Sequence, residues 1–498
     1  MVRNSDWEDR ITLFVTRDMK RNRAEREEEA KRATETAADA QPGVFQRSAL
    51  SAVAAAEAHR NFVSSQPYMH VQLQTTLQPN WLLSVQQELS QLQSTFKETD
   101  LFKVYQTGDL ANIDAEDPAH AAALPHTLAL RNAIYSARFR KFIQRVTGCA
   151  PLTEQTDCSC NVYKRGGHLL CHDDVIGTRC VSYIIYLSRP NKKWHPKYGG
   201  ALELYPLAAE ESGVPPQPEV VPSAVVPPDF GSMVLFTVQP GVSYHAVQEV
   251  FSSQPRLSVS GWFHAASPPE GAHTDASLAQ LQGARPGAAA LVPRPLRSIV
   301  GARLSPGRVR LLAAFINPVY LQEATIQAVR AQLEANGAAQ LSGFLLPTLA
   351  SAIAKAAAAA DRRDALGGGA VPSYGAGLGR RGWRPVGPPQ LQRYLRLRAS
   401  TGKKGTAGQA SGAAGGGPGT PAKDEGGAGE KGIAPKLRAL RHLMHSTPFV
   451  LLLQALTGLT ATRATSEVRR FRPGLDYTLA HVGSLREHEV TTSTRHTP

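Results

Sequence analysis

A chain of 498 residues exceeds what one ordinary hydrophobic core organises, so two domains joined by flexible segments are expected. The apolar fraction of 42% suits globular material, and no run approaches the roughly 18 uninterrupted apolar residues of a membrane span, so no membrane partner is expected. The net charge of +14 is unevenly placed: the basic excess lies from Arg294 onward, where a ribonucleoprotein contact and a solvated Arg-rich insert fit equally well.

Residues 1–67 read as an N-terminal extension, helical or disordered, with a charged run over 19–40 and no hydrophobic block of the secretory kind. Pro79 introduces a helical stretch from Trp81 to about Phe96, in which Leu82, Leu83, Val85, Leu89 and Leu92 recur at mostly helical spacing. A second helix is predicted from about Thr127 to Thr147, stopped by Gly148. Beyond it the period shortens. Ser159–Tyr163, His168–His172, Cys180–Leu187, Ala201–Tyr205, Val220–Val226, Ser232–Val238, Ser243–Val250 and Arg256–Phe263 read as short strands separated by Gly, Pro and Asp. Such a series predicts an α+β fold: a double-stranded β-helix of the jelly-roll, cupin-like type, flanked by helices, over 68–266. The Pro-rich stretch 206–229 should be a long loop broken by one strand.

The five cysteines, Cys149, Cys158, Cys160, Cys171 and Cys180, crowd into this region in odd number. They suit reduced thiols of a cytoplasmic or nuclear protein better than a disulfide framework, and Cys158-x-Cys160 lacks zinc-site spacing. A Pro/Gly-rich linker covers 267–305. A second domain is expected over 306–498, interrupted by an insert, 362–432, whose composition cannot bury enough apolar surface to order itself.

An internal repeat links the two regions. Ser136, Phe139, Gln144, Thr147 and Gly148 recur at identical spacing as Ser446, Phe449, Gln454, Thr457 and Gly458, and Leu77-x-Pro79-x-Trp81-Leu82 echoes Ile316-x-Pro318-x-Tyr320-Leu321. Where the first copy continues His172-Asp173-Asp174, the second has His481-Val482-Gly483, and far fewer residues follow Gly458 than follow Gly148. A degenerate, non-catalytic and truncated second copy is the expectation.

His172-Asp173-Asp174 carries the chemistry. In an extended segment His172 and Asp174 point to one side and Asp173 to the other, so the outer two can share a metal. His245, within the strand Ser243–Val250, supplies a third ligand. Two imidazoles and a carboxylate on one octahedral face form the triad of non-haem Fe(II) oxygenases, whose open positions suit a bidentate 2-oxo acid and O2. The same spacing in His273-Thr274-Asp275 lies in the linker without strand pattern, which shows that the motif alone decides little. Arg256 adds weight. It opens the last strand, with Ser258 and Ser260 on its face and Leu257, Val259 and Phe263 on the other. A buried guanidinium is costly without a carboxylate, and 2-oxoglutarate offers one, with the Ser258 hydroxyl as a further donor.

Tyr163–Asp174, Tyr183–Leu187, Gly199–Tyr205, Tyr244–Val250 and Arg256–His264 resemble the eukaryotic ribosomal prolyl 3-hydroxylases, the 2-oxoglutarate and iron-dependent oxygenase domain-containing family. Phe315–Pro318 and Phe449–Gly458 resemble that family's second domain. The resemblance implies tandem barrels with only the first active and Fe(II) at His172, Asp174 and His245. It further implies 2-oxoglutarate contacts at Tyr163, Tyr186 and Arg256, with ascorbate as reductant. The implied substrate is one proline, hydroxylated at C3, of the small-subunit ribosomal protein at the decoding centre. Three rivals are weaker. Oxygenases of alkylated nucleic acid usually carry a second Arg where Trp262 stands, and a halogenase would lack Asp174. A non-catalytic, translation-associated scaffold suits only 306–498.

Overall fold

The computed structural model describes residues 43–209, 216–272, 294–296, 302–378, 382–398 and 433–479. The chain divides into two units, Met1–Arg285 with Pro388–Leu391 and Leu479–Pro498, and Pro286–Gly387 with Gln392–Thr478. The linker motif His273-Thr274-Asp275 and the run 19–40 lie outside the described residues.

In the first unit, helices α1 (Ala52–Ser64), α2 (Pro79–Leu89), α3 (Pro118–Ala123), α4 (Pro125–Tyr135) and α5 (Ala137–Thr147) precede most of the sheet. The helix expected over 81–96 stops early, because Thr95–Glu98 (β2) pairs with Phe102–Gln106 (β3). The helix expected over 127–147 is two helices. Ser136 is extended (ψ 144°) and its hydroxyl accepts from the Phe139 amide, so it caps α5 and ends α4. Helix α5 buries Phe139, Phe142, Ile143 and Val146 along one stripe, and Phe139 lies 6.0 Å from the ring of Phe263 in the sheet. Removing a fully buried Phe of this kind typically costs about 3–5 kcal/mol. Helix α1, within the expected extension, seals the same core with Phe62.

The remaining strands are β1 (His70–Leu73), β4 (Leu152–Thr156), β5 (Ser159–Tyr163), β6 (His168–His172), β7 (Arg179–Tyr186), β8 (Leu202–Leu204), β9 (Ala224–Val226), β10 (Met233–Thr237), β11 (His245–Val247) and β12 (Arg256–Ala265). They form one antiparallel sheet in the order β1-β10-β7-β12-β5-β3-β6-β11-β8-β9, with β2 on β3 and β4 on β12. Ile184 and Tyr186 of β7 and Val234 and Phe236 of β10 share a buried cluster with Leu202, Leu204 and Val226 from the far end of that order. The sheet is thus folded over on itself, as a double-stranded β-helix requires. One face is covered by the helices; the fold-over encloses the space where the candidate site lies.

The second unit contains helices α6 (Pro306–Ala313), α7 (Glu323–Asn336), α8 (Pro347–Arg363), α9 (Ile433–Met444) and α10 (Thr447–Thr457). Ser446 caps α10 by accepting from the Phe449 amide and Gly458 ends it in the left-handed conformation, as Ser136 and Gly148 do for α5. A short ladder joins β13 (Arg294–Pro295) to β16 (Arg463–Ala464). A small sheet comprises β14 (Trp383–Val386), β15 (Gln392–Leu397), β17 (Arg469–Arg470) and β18 (Tyr477–Thr478). The insert 362–432 was expected to be disordered, yet it carries the β14–β15 hairpin, whose Trp383, Leu395 and Leu397 bury against Ala434 of α9. Its residues 399–432 lie outside the described ones.

Candidate metal and 2-oxo acid site

Strand register brings the two imidazoles together. His245, first residue of β11, is paired directly with His172, last residue of β6, and their rings lie 4.2 Å apart. Asp174 follows through a turn rather than by strand alternation: its φ is +63°, a left-handed conformation that Asp tolerates better than most residues. The convergence expected of His172, Asp174 and His245 is found, although the extended backbone invoked for it is not. His172 Nε2 lies 3.1 Å from Asp174 Oδ1 and His245 Nε2 3.3 Å from Asp174 Oδ2. One donor atom from each of the three falls within 4.8 Å of the others.

Each Nδ1 lies 2.8 Å from a backbone carbonyl, His172 at Leu170 and His245 at Ser243. Donation there leaves both Nε2 lone pairs aimed at the shared point, the tautomer a metal needs. Asp173 does face away. Its carboxylate accepts from the amides of Val175 and Gly241, and its carbonyl accepts from the Ser243 hydroxyl, tying the ligand-bearing turn to the strand that carries His245. Burial alone would raise the Asp174 carboxyl; whenever the imidazoles are instead protonated, the charges of His245 and His172 outweigh burial and hold it well below the usual carboxylate range. Two imidazoles and an ionised carboxylate, buried or nearly so, make a donor set that fits Fe(II).

A second cluster sits on neighbouring strand positions. Arg256 of β12 pairs with Tyr163 of β5, and Ser258 with Tyr186 of β7. Arg256 is 1% exposed; its Nε donates to the Gly200 carbonyl at 2.9 Å and an Nη donates to Ser258 Oγ at 3.0 Å. No carboxylate among the described residues pairs with it. The guanidinium lies 4.9 Å from the ring of Tyr163 and 5.1 Å from that of Tyr186. The Tyr186 hydroxyl is buried with no hydrogen bond of good geometry among the described residues, although the Arg256 guanidinium stands close enough to act on it. Burial pushes both phenols up, with Arg256 opposing. Gly200 admits this packing: at φ +72° a Cβ would stand 3.1 Å from Val250 and 3.4 Å from the Arg256 side chain. An uncompensated buried cation beside an orphaned hydroxyl is a receptor for an external carboxylate. Ser258, expected as a donor to that carboxylate, accepts from Arg256, which leaves its own hydrogen free to donate. A cavity of about 230 Å³ joins the two clusters, with His172, Asp174, His245, Tyr163, Arg256 and Ser258 among its walls.

Trp262 was missed as a functional residue. Its Nε1–H donates to Asp174 Oδ2 at 2.9 Å, while Arg179 stacks 3.4 Å over the indole and reaches Asp157 at 3.8 Å. Strand alternation from Arg256 through Ser258 and Ser260 was the available signal. None of the cysteines forms a disulfide, Cys158, Cys160 and Cys171 are buried, and none belongs to a metal-competent cluster among the described residues.

Residues 158–264 match the 2OG-Fe(II) oxygenase superfamily, and residues 308–494 match the family described as oxoglutarate and iron-dependent oxygenase degradation C-term. The chain is 40% identical over 439 residues to a prolyl 3,4-dihydroxylase OGFOD1 of Ostreococcus tauri, covering 86% of this chain and 78% of the relative. It is 36% identical over 196 residues to a prolyl 3-hydroxylase OGFOD1 of Xenopus laevis and 33% over 203 residues to that of Mus musculus. Those two alignments span 39% and 40% of this chain but only 34% and 33% of the relatives. With this fold and these clusters, the chain belongs to the OGFOD1 family of 2-oxoglutarate- and Fe(II)-dependent prolyl hydroxylases.

Proposed function

We propose that the first unit hydroxylates a prolyl residue of a protein substrate at C3, with His172, Asp174 and His245 holding Fe(II) and Arg256 holding 2-oxoglutarate. The observation that carries this reading is the buried Arg256 guanidinium, which meets no carboxylate among the described residues and shares a cavity with the metal-competent triad. Bound iron supplies the oxidising chemistry, coupling decarboxylation of 2-oxoglutarate to oxygen insertion into a C–H bond. The chain's own residues position the reactants. Arg256 and the hydroxyls of Ser258 and Tyr186 fix the far carboxylate, and the Tyr163 ring packs 4.9 Å from the guanidinium. Trp262 occupies one oxygen of Asp174, leaving the other for the metal. Phe102, Val104, Leu169 and Val247 give the cavity apolar walls suited to a pyrrolidine ring and to the exclusion of water.

The resemblance noted above supports a small-subunit ribosomal protein at the decoding centre as substrate, ascorbate as reductant, and a cytoplasmic or nuclear location. A second reading, hydroxylation at both C3 and C4, is favoured by the 40%-identical relative, which is named a 3,4-dihydroxylase.

The second unit we read as a degenerate, non-catalytic copy of the first. Strand β3 pairs Phe102 and Lys103 with Leu169 and His168 of β6, and Tyr105 and Gln106 with Val162 and Asn161 of β5. Strand β15 pairs Gln392 and Arg393 with Thr478 and Tyr477 of β18, and Leu395 and Arg396 with Arg470 and Arg469 of β17. The two ladders correspond pair for pair.

Incubation with Fe(II), 2-oxoglutarate, ascorbate and peptides of the ribosomal protein tests the reading. Succinate release matched by one added oxygen on a proline supports it, and two added oxygens select the second reading. Succinate without a modified peptide removes the substrate claim, and no succinate at all removes the enzymatic one.

A further inference from the structure

The outer face of the second unit's small sheet carries a row of like charges. Arg384 on β14 lies directly opposite Arg396 on β15, and Arg396 lies opposite Arg469 on β17. Three guanidinium side chains therefore stand abreast on neighbouring strands, and Arg398 extends the row two residues beyond Arg396. The alternate residues Leu395 and Leu397, with Trp383, bury against Ala434 of α9, which fixes the arginines on the side away from that core. Like charges paired across a ladder destabilise it.

Compensation is slight. Glu467 reaches Arg469 and lies 3.6 Å from Arg396, but its oxygens also accept from the Tyr394 hydroxyl. Arg384 and Arg398 are exposed and form no ion pair among the described residues. Beside the charge lie one buried ring, Tyr394, and one exposed ring, Phe471. The Arg469 guanidinium lies 4.8 Å from the ring of Tyr394, which lies 5.6 Å from that of Phe471, a side chain 46% exposed.

A row that weakens its own sheet and presents an exposed ring beside it suits a ligand that is both polyanionic and aromatic. We propose that this face binds single-stranded RNA, with phosphates along the exposed Arg384, Arg398 and Arg469, the largely buried Arg396 adding its charge, and a base stacked on Phe471. An acidic peptide would meet the charge but leave the ring unused. The proposal does not depend on the oxygenase reading of the first unit.

The test is fluorescence anisotropy of a labelled single-stranded oligouridine with the full chain, across a series of salt concentrations. The double variant Arg384→Ala/Arg398→Ala is expected to bind more weakly. The slope of log K against log salt should fall by about 1.4, at roughly 0.7 per lost phosphate contact on a single strand. Its melting temperature should be unchanged or higher, because a repulsion has been removed, so lost binding cannot be ascribed to unfolding. Phe471→Ala should weaken binding with no change in slope. Failure of the intact chain to bind the oligomer overturns the proposal, as does an affinity indifferent to the double variant. Competition by polyglutamate as effective as by unlabelled oligouridine also overturns it and assigns the face to an acidic protein partner.

Discussion

Two arginines, one in each unit, are almost completely buried, and they differ in what meets them. Arg472 is 1% exposed and forms a forked pair with Asp476, Nε to Oδ2 at 2.8 Å and Nη2 to Oδ1 at 2.9 Å, while an Nη donates to the carbonyls of Tyr374 and Ala376. Arg256 is equally buried and has one carbonyl and one hydroxyl, with no carboxylate among the described residues. The first arrangement is complete and serves the fold. The second leaves part of a desolvated charge unanswered, a condition that persists when an external ligand answers it. Burial alone would have ranked the two together; the partner tells them apart.

Asp174→Ala should have the largest effect: succinate formation falls below detection and Fe(II) affinity collapses, measured by turnover and chelator competition, while circular dichroism remains native. Arg256→Met should weaken 2-oxoglutarate binding by about 4 kcal/mol, within the range for truncating one partner of a buried charge pair. The ligand-free protein should melt no lower, because an uncompensated charge has been replaced by an apolar chain of similar length. Arg472→Met should do the reverse. Stability of the second unit drops by about 3 kcal/mol as the buried Asp476 loses its cation and keeps only the backbone amide of residue 472, and calorimetry of 2-oxoglutarate binding is unchanged. Equal melting shifts for the two Arg→Met variants would sink the distinction.

Trp262→Phe sharpens the metal end. It keeps the ring under Arg179 but removes the donor to Asp174, and should weaken Fe(II) or Co(II) binding about tenfold, with a changed Co(II) absorption spectrum. Tyr186→Phe should be the mildest. It deletes an orphaned hydroxyl, so the ligand-free protein is unharmed while 2-oxoglutarate affinity falls by about 1 kcal/mol.

Much of the first unit was legible because its signals are local. Strand alternation delimited β5 and β6 to the residue and placed β7, β10 and β12 within a position or two. The site was legible because His172, His245 and Arg256 are residue types that seldom lie in apolar strands without a reason, and Asp174 stands two residues past the first of them. Other features depend on competition between signals. The apolar stripe runs through Ser136, yet its hydroxyl captures the Phe139 amide and splits the helix. The β14–β15 hairpin was hidden by the Gly and Arg around it, since three alternating apolar residues suffice once α9 covers them. Trp262 reads as a core aromatic until Asp174, distant in sequence, is placed beside its indole nitrogen.

The left-handed backbone at Asp174 restricts what can replace it. Asparagine and glycine accept a φ of +63° with little penalty, but neither supplies a negative oxygen. Glutamate supplies one, yet it tolerates that conformation poorly and its extra methylene would carry the carboxylate past the point that both imidazoles address. Aspartate is thus selected twice over at this position, once by the chain's path and once by the ion, and the usual conservative exchange between the two acidic residues is closed.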